Sequence, residues 1–163
     1  MSQGKLRNMA SLYLYTDSKM LFLYRIGSRV VADSYTGSAG GHFEKEELND
    51  ARACVLRELY EETGLKEDDL ENLTLRYITL RLKNQEIRQN YYFFAKIKDM
   101  AKEITSNEGK LRWVEKSQAM ELDMPFTAEY VIKHYLETGQ NTDCLYGGIA
   151  TEQGVVFEEL REF

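Results

Sequence analysis

One segment of the chain is sharply delimited and strongly acidic, and it constrains the fold more than any other part of the sequence. Residues 50–63 are expected to form a helix, because Asn49 or Asp50 can cap its start and Gly64 can stop it. A helix turns by about 100° per residue, which brings three glutamates into one arc and three aliphatic side chains into the adjacent arc. These are Glu58, Glu61 and Glu62, and Val55, Leu56 and Leu59. The helix therefore combines a face for the core with a carboxylate face beside it.

The carboxylate face has two interpretations. Glutamates three and four residues apart repel each other by only about 0.2–0.5 kcal/mol per pair when solvated, so a simple water-exposed face is energetically acceptable. A cation site is favoured by the twin glycine Gly40-Gly41 before the helix, since glycine permits close approach of the backbone to a ligand. More acids lie in between, at Glu44, Glu46 and Glu47. Hard oxygen ligands of this kind suit Mg²⁺ or Mn²⁺, with substrate phosphates completing the coordination shell.

The order of residues in this segment resembles the signature of the Nudix family. Residues 57–65 read Arg-Glu-Leu-Tyr-Glu-Glu-Thr-Gly-Leu and match every fixed position of the C-terminal part of that signature, R-E-U-x-E-E-x-G-U with U aliphatic. Gly41, five intervening residues and Glu47 match its opening. Nine residues separate Glu47 from Arg57, where the family usually has seven, which indicates a two-residue insertion in the loop before the helix. The resemblance spans about residues 40–65 and does not assign a role to Glu47.

The resemblance implies a fold and a chemistry. The expected fold class is α/β, a Nudix-type α/β/α sandwich around a mixed β-sheet, and we expect residues 1–163 to form a single domain. The expected reaction is hydrolysis of a phosphoanhydride in which a nucleoside diphosphate is linked to another group. Mg²⁺, with Mn²⁺ as a possible replacement, is implied as the cofactor and a nucleotide as the substrate.

The resemblance also implies roles for the residues of the signature. The metal ions are expected to bind the main-chain carbonyl of Gly40 or Gly41 and the side chains of Glu58, Glu61 and Glu62. Gly41 is also expected to lie among the substrate-binding residues. Arg57 is expected to orient the glutamates, by pairing with Glu61 one turn further on or with an acid of the preceding loop.

Two residues outside the signature are further candidates by the same resemblance. Glu108 lies where MutT-type members place an additional acidic ligand or base, so the general base is expected to be Glu58 or Glu108. Arg25 follows a predicted strand and is expected to contact the substrate phosphates. The alternative interpretations are equally good: a turn glutamate at 108 and an exposed charge at a strand edge at 25.

Features beyond the signature indicate a MutT-like nucleoside triphosphate pyrophosphohydrolase. ADP-ribose members of the family tend to carry a proline some fifteen residues after the signature, and this chain has none before Pro125. The leading candidate substrate is an oxidised purine nucleotide such as 8-oxo-dGTP. In the aromatic run of residues 91–94, Tyr92 could stack on the base, and the neighbouring Asn90 could hydrogen-bond its edge. Strand aromatics more often belong to the core.

Two alternatives to this function stay open. The first is a Nudix hydrolase of another substrate: a nucleotide sugar, a dinucleotide polyphosphate or the 5′ end of an RNA. The second is a non-catalytic Nudix module that binds a nucleotide and regulates a partner. Such modules usually lose helix glutamates, and this chain keeps all three.

The rest of the chain alternates predicted strands with one further helix. Residues 26–41 are expected to be mostly loop, and five runs are expected to be strands: 9–15, 20–24, 73–82, 87–97 and 110–115. The apolar phase of the third run switches near Tyr77-Ile78, which indicates a bulge or a strand buried on both faces. A core-facing stripe predicts a helix over residues 127–138, closed by Gly139. Residues 145–163 are expected to contain a break at Gly147-Gly148.

Charge and composition narrow the class of partner. The formal net charge is −6, which argues against long nucleic acids because proteins that bind them show a basic footprint. No apolar run is long enough to cross a membrane and the N-terminus lacks the apolar stretch of a signal peptide, so no membrane partner is expected. Cys54 and Cys144 are far apart in sequence, and free thiols in a reducing cytoplasm are expected. A monomer or homodimer is expected.

Overall fold

The structure is a computed structural model that describes residues 4–26 and 33–163. Its strands are β1 (Lys5–Tyr15), β2 (Lys19–Arg25), β3 (Ser34–Thr36), β4 (Ala39–His42), β5 (Leu70–Lys83), β6 (Glu86–Ile97), β7 (Lys110–Glu115), β8 (Leu145–Thr151) and β9 (Gly154–Leu160). Helix α1 (Ala51–Thr63) lies between β4 and β5, and helix α2 (Phe126–Glu137) lies between β7 and β8. Short 3₁₀ helices occupy Lys45–Glu47, Glu67–Asp69, Lys116–Glu121 and Gly139–Asn141. Neither α-helix of this part of the chain is long and apolar enough to cross a membrane.

The strands form one mixed sheet. Its order is β3-β2-β1-β6-β5-β8-β9, while β4 pairs with β1 and β7 pairs with β2. β1 and β6 run parallel, as do β5 and β8, and the other pairs are antiparallel. β4 pairs with Met9–Leu12 of β1, whereas β2 pairs with β1 only at Leu14 and Tyr15. The glycine-containing strand β4 therefore lies directly beside the centre of the sheet.

The two helices cover opposite faces of the sheet. Successive residues of β1 point to opposite faces, so Leu12 and Leu14 pack in the core under α1 and Tyr13 packs in the core under α2. The fully buried side chains that the helices contribute are Cys54, Val55 and Leu59 from α1, and Val131 and Ile132 from α2. This arrangement confirms the expected α/β/α sandwich around a mixed sheet.

The long hairpin β5–β6 contains a tight two-residue turn and one of the two alternatives for the phase switch, a bulge. Asn84 and Gln85 have φ values of 53° and 63°, which is the left-handed backbone that a two-residue hairpin turn requires. The register of β5 against β6 shifts between Leu75 and Tyr77, so a bulge explains the switch in apolar phase. The bulge residue Arg76 is buried and donates hydrogen bonds to the carbonyl oxygens of Gly139, Thr142 and Cys144.

Two predictions about irregular segments were wrong. Residues 26–41 contain β3 and β4 rather than mostly loop; of this segment, residues 27–32 lie outside the described chain. These strands are three and four residues long, too short for a periodic pattern, and pairing with β2 and β1 forms them. Gly147-Gly148 lies inside β8 and causes no break. A Cβ on Gly148 would contact the ring of Phe157 at 2.8 Å, so glycine there makes room for a cross-strand aromatic ring.

Candidate active site

β4 brings the twin glycine against both the sheet and α1. A Cβ on Gly40 would collide with the carbonyl oxygen of Ala10 on β1, and a Cβ on Gly41 would collide with the carboxylate of Glu58 on α1. The amide nitrogen of Gly40 donates to Oε2 of Glu62 at 3.4 Å. Close packing against the backbone of β1 therefore requires glycine at position 40, whereas a side chain at position 41 would displace the Glu58 carboxylate. The main chain of β4 lies beside two acids of the helix.

The ends of α1 are fixed as the sequence predicts. The carboxylate of Asp50 accepts a hydrogen bond from the amide of Ala53 at 3.0 Å, and Gly64 ends the helix with φ of 76°. Leu59 and Cys54 are fully buried under the sheet, which fixes the rotation of the helix about its axis. Glu62 is also buried as a result, although it is a charged residue.

Arg57 is the centre of an ion-pair network on α1. Its Nε and Nη2 atoms bind the two carboxylate oxygens of Glu47 at 2.7 and 3.0 Å. Its Nη1 atom lies 2.9 Å from Glu61 and 3.1 Å from Glu58, and Nη2 also donates to the carbonyl oxygen of His42 at 3.1 Å. Both predicted kinds of partner, Glu61 one turn on and an acid of the loop, are thus present.

Glu47 is held in place despite the insertion that precedes the helix. It is 6% exposed, and its Oε1 atom accepts a hydrogen bond from the amide of Glu44 at 2.9 Å. Hydrogen bonds from the Arg57 guanidinium hold the pKa of Glu47 below its ordinary value, and the carboxylates around Arg57 raise the pKa of that arginine. The insertion is therefore absorbed in the loop while the contact between Glu47 and Arg57 forms.

Glu58 and Glu62 are four residues apart on one side of α1 and interact with each other. Burial and the charge of Glu58 raise the pKa of Glu62 to about 7. Two carboxylates in one desolvated place resist simultaneous ionisation unless a positive charge is added. The pair consequently has the charge character of a site that accepts a cation.

The loop before β7 is attached to the end of α1 and brings a further acid near this pair. Asn107 donates from its amide nitrogen to the carbonyl oxygen of Glu62 at 3.1 Å, and from Nδ2 to that of Glu61 at 2.9 Å. Glu108 is close enough for its charge to raise the pKa of Glu62. Glu108 also pairs with Arg25 at 2.9 Å, and both side chains are about half exposed.

A cleft of about 550 Å³ opens beside the acids, on the sheet face that α2 partly covers. The side chain of Glu62 and the glycines Gly40 and Gly41 line one end of it, and Arg25 lies in the same wall. The floor is formed by residues of β1, β6 and β5 that share one face. A single cavity is thus lined by Glu62, Arg25 and the two glycines of β4.

Asn90 and Tyr92 lie in the floor of this cleft, whereas Tyr91 points to the opposite face and packs against Phe43. Tyr92 is 3% exposed and belongs to the core under α2, where its ring stacks on Tyr13 with centroids 6.5 Å apart. Burial raises the pKa of Tyr92 to about 12. Asn90 is more accessible than Tyr92 and presents its amide to the cleft.

Comparison with known proteins decides the family. The model of the NUDIX domain family matches residues 5–135. This chain belongs to the Nudix family. The match begins with β1 and extends through nearly all of α2, so the region that carries the acids and the cleft lies within it. A comparison with curated protein sequences gave no significant match.

Solved structures give the same result. A MutT protein from Bacillus halodurans is 25% identical with a TM-score of 0.63, covering 95% of each chain. A NUDIX hydrolase from Nitrosomonas europaea is 17% identical with a TM-score of 0.67, covering 92% of this chain and 81% of the other. An Ap4A hydrolase from C. elegans is 14% identical with a TM-score of 0.63, covering 83% and 99%. The protein is a Nudix hydrolase of MutT-like fold, an enzyme that acts on pyrophosphate bonds.

The acids of this Nudix hydrolase fit a divalent cation by their chemistry. Glu58 and Glu62 are adjacent oxygen donors with an excess of negative charge, and the main chain of Gly40 and Gly41 lies against them. Glu61 is turned toward Arg57 and is about half exposed. Across residues 4–26 and 33–163, no three Asp, Glu, His or Cys side chains already converge in the manner of a metal cage.

Three features of the site were not predicted from the sequence. The bidentate contact between Glu47 and Arg57 depends on the path of the loop, and the spacing of the two residues in the sequence does not predict it. Asn107 donates hydrogen bonds to main-chain carbonyl oxygens that are far away in sequence. Its position next to Glu108 is the one feature of the sequence that points to this turn. The third feature is a group of arginines in the cleft floor, which becomes visible only when the strand register is known.

Proposed function

We propose that this Nudix hydrolase is a Mg²⁺-dependent nucleoside triphosphate pyrophosphohydrolase of the MutT type, with 8-oxo-dGTP or a related oxidised purine nucleotide as its preferred substrate. The observation that carries the proposal is that Glu62, which interacts with Glu58, lines the same cleft as Arg25 and Asn90. Such a cleft can hold the triphosphate at one end and the base further along. The similarity to a MutT protein over nearly the whole length of both chains supports this class of substrate.

The metal would be held by Glu58 and Glu62, by a main-chain oxygen of Gly40 or Gly41, and by Glu61 if it exchanges Arg57 for the cation. When bound, Mg²⁺ neutralises phosphate charge and makes an attacking water more acidic. Arg57 keeps the acids in place, because its guanidinium binds Glu47 on one side and Glu58 and Glu61 on the other. Mn²⁺ suits the same oxygen donors.

The reaction is a hydrolysis in which water supplies the new oxygen. A bond forms between that oxygen and a phosphorus of the anhydride, the bridging P–O bond breaks, and pyrophosphate leaves with the bridging electron pair. A carboxylate, Glu58 or Glu108, takes the proton from the water. Arg25 balances charge on the departing phosphates, for which it must exchange Glu108 for the substrate.

The base end of the substrate is assigned to the cleft floor. The amide of Asn90 offers both a donor and an acceptor to the edge of a purine. Tyr92 supports Asn90 from below, with its hydroxyl oxygen 3.5 Å from Nδ2 of Asn90. Because its ring is buried, Tyr92 contributes through this hydroxyl contact and does not offer an open face for stacking.

A panel of substrates tests the proposal. The purified protein is assayed with Mg²⁺ and with Mn²⁺ on 8-oxo-dGTP, dGTP, ADP-ribose, diadenosine tetraphosphate, a nucleotide sugar and 5′-triphosphorylated RNA, and pyrophosphate is separated from phosphate among the products. We expect pyrophosphate release, with kcat/KM for 8-oxo-dGTP at least about tenfold above that for dGTP. Preference for another compound of the panel would contradict the substrate assignment and leave the hydrolase intact.

Two controls separate the remaining alternatives. Glu58→Gln removes a charge from the acidic pair and should lower kcat by about 10²- to 10⁴-fold with little change in folding. Tight nucleotide binding by a wild-type protein that shows no turnover with either metal would instead favour the non-catalytic module.

A cytoplasmic location and a monomeric or homodimeric state stay predictions.

A further inference from the structure

Three arginines lie side by side in the cleft floor, on adjacent strands. Arg7 of β1 is the register partner of Arg88 of β6, and Arg88 is the register partner of Arg81 of β5. All three line the cleft, and Lys83 lines the same end. We name this set, Arg7, Arg88 and Arg81, the arginine row. Like charges directly opposite each other on neighbouring strands destabilise a sheet, so the row is unfavourable in the free protein.

The arginine row has few acidic partners. Nη2 of Arg88 lies 3.4 Å from Glu86, Nη2 of Arg7 lies 3.4 Å from Nε2 of His42, and Arg81 packs over the ring of Phe126. Glu86 is the one acidic side chain within 4 Å of the row in the described chain. One carboxylate for three guanidinium groups is the reverse of the situation at Arg57, which has four acidic neighbours.

Two nitrogens of the row have unused hydrogen-bonding capacity. Nε of Arg7 and Nε of Arg88 are buried and have no hydrogen-bond partner among the residues that the structure describes. A buried donor without an acceptor is unfavourable. Arginine uses Nε–H together with an Nη–H to bind two oxygens of one phosphate or carboxylate group, so an anion between Arg7 and Arg88 could satisfy both once the side chains turn toward it.

The arginine row lies away from the acidic pair along the same cleft. Gly40 pairs with Ser11 of β1, and Arg7 precedes Ser11 by four residues, which is roughly 13 Å along a strand. The next row toward the acids contains Met9 and Asn90. A substrate cleaved at the acidic end and held at Asn90 would therefore bring its far end to the arginines.

We propose that the arginine row is a second anion site, which binds a phosphate group at the end of the substrate remote from the cleaved pyrophosphate bond. A nucleotide that carries a phosphate on its 3′ oxygen supplies this chemistry. The assignment of the phosphate to a substrate rests on the proposed nucleotide pyrophosphohydrolase activity and not on the oxidised base. The anion site itself does not, because its geometry is independent of turnover.

A binding experiment tests the anion site without catalysis. Inorganic pyrophosphate is titrated into the protein in low-salt buffer stripped of metals on a chelating resin, since a soluble chelator is itself an anion that could occupy the row. The melting temperature is followed for wild type, Arg88→Gln and the matched control Arg161→Gln, which removes an exposed arginine beyond the end of β9. We expect stabilisation in wild type and in the control and a loss of affinity of about tenfold to a hundredfold in Arg88→Gln.

The free protein provides a readout that a purely structural arginine would not give. Because the row is repulsive, Arg88→Gln without ligand should melt no lower than wild type while it loses the response to pyrophosphate. Equal responses in all three proteins, or no response in wild type, would overturn the proposal. A large drop in the melting temperature of unliganded Arg88→Gln would also overturn it, because the arginine would then be a structural residue.

Matched substrates identify the source of the phosphate. The ratio of kcat/KM is measured for guanosine 3′-diphosphate 5′-triphosphate over GTP. We expect a ratio above one in wild type and Arg161→Gln, and a fall toward one in Arg88→Gln. If no compound is turned over, the proposed function fails and the pyrophosphate titration alone decides the anion site. If the compounds are turned over and Arg88→Gln leaves the ratio of kcat/KM unchanged, the arginine row does not bind a phosphate group of the substrate.

Discussion

The two helices of this Nudix hydrolase cover opposite faces of one sheet and have nearly equal lengths, yet they differ in the side chains that they bury. α2 buries a regular stripe in which Val131, Ile132 and Tyr135 all meet apolar or aromatic neighbours. α1 buries Val55 and Leu59 on one side and surrounds its other sides with charge.

The difference appears in how each helix treats its charged residues. The acidic residues of α2, Glu129 and Glu137, are exposed to water. In α1, Glu62 is buried beside Glu58, and three of the acids near Arg57 lie within 3.1 Å of it. A helix that only packs keeps its charges in solvent, whereas a helix that carries chemistry keeps some of them in conditions that cost stability.

The largest expected effect separates the helices by activity. Glu58→Gln on α1 should lower kcat by about 10²- to 10⁴-fold, because it removes a metal ligand or the general base. The matched substitution on α2, Glu129→Gln, removes an exposed glutamate and should leave kcat unchanged. The measurement is kcat with saturating Mg²⁺, with circular dichroism as a check on folding. Equal activity of the two variants would remove the distinction between the helices.

The second prediction is that a substitution on α2 affects stability and leaves activity unchanged. Ile132→Ala on α2 deletes a fully buried side chain and should lower the free energy of unfolding by about 2–5 kcal/mol. The residual folded protein should keep its kcat, since Ile132 packs under the sheet away from the acids. Urea unfolding followed by fluorescence measures the first quantity and a steady-state assay the second. Loss of kcat in the folded variant would mean that the packing of Ile132 is coupled to the site.

The features of the two helices that the sequence predicts correctly are those that depend on local spacing. The stripe of α2 repeats every three or four residues, so a local pattern suffices to give its bounds within one residue. The signature likewise predicts α1 and the contact of Arg57 with Glu61, which are four residues apart on one helix. Both are local in sequence, and local spacing is what a sequence displays directly.

The parts that sequence could not predict depend on non-local pairing. β4 is a four-residue strand with two glycines, a composition that does not predict a strand. It is extended because it pairs with β1. The arginine row requires the register of three strands, and the bulge at Arg76 changes the phase of one of them. An error of one residue in that bulge would send Arg81 to the opposite face.

The third prediction concerns the ion-pair network of α1. Arg57→Met should lower the free energy of unfolding by about 3 kcal/mol, because it leaves the buried carboxylate of Glu47 without its cation. Lys133→Met on α2 removes an exposed cation and should change stability by less than about 0.5 kcal/mol. Arg57→Lys should recover only part of the loss, since an ammonium group cannot bind both oxygens of Glu47 as a guanidinium does. Full recovery by lysine would show that charge alone matters at this position.

The smallest expected effect is a pH dependence that belongs to α1 alone. Glu62 has a pKa of about 7 in the folded protein and about 4.5 in the unfolded chain. Between these values the folded state keeps a proton that the unfolded state has released, so stability in metal-free buffer should fall as the pH rises through this window. Glu62→Gln, which carries no charge at any pH, should flatten that slope and melt above wild type at pH 8.

The matched variant on α2 decides whether this slope is specific. Glu129→Gln should follow the wild-type profile, because Glu129 is an exposed residue of α2 and takes no part in the acidic pair. Addition of Mg²⁺ should raise the melting temperature of wild type at pH 8 by binding the folded state, and it should do so much less in Glu62→Gln. If the variant kept both the slope and the response to Mg²⁺, the buried glutamate would be an ordinary structural residue, and the contrast between the two helices would rest on Glu58 and Arg57 alone.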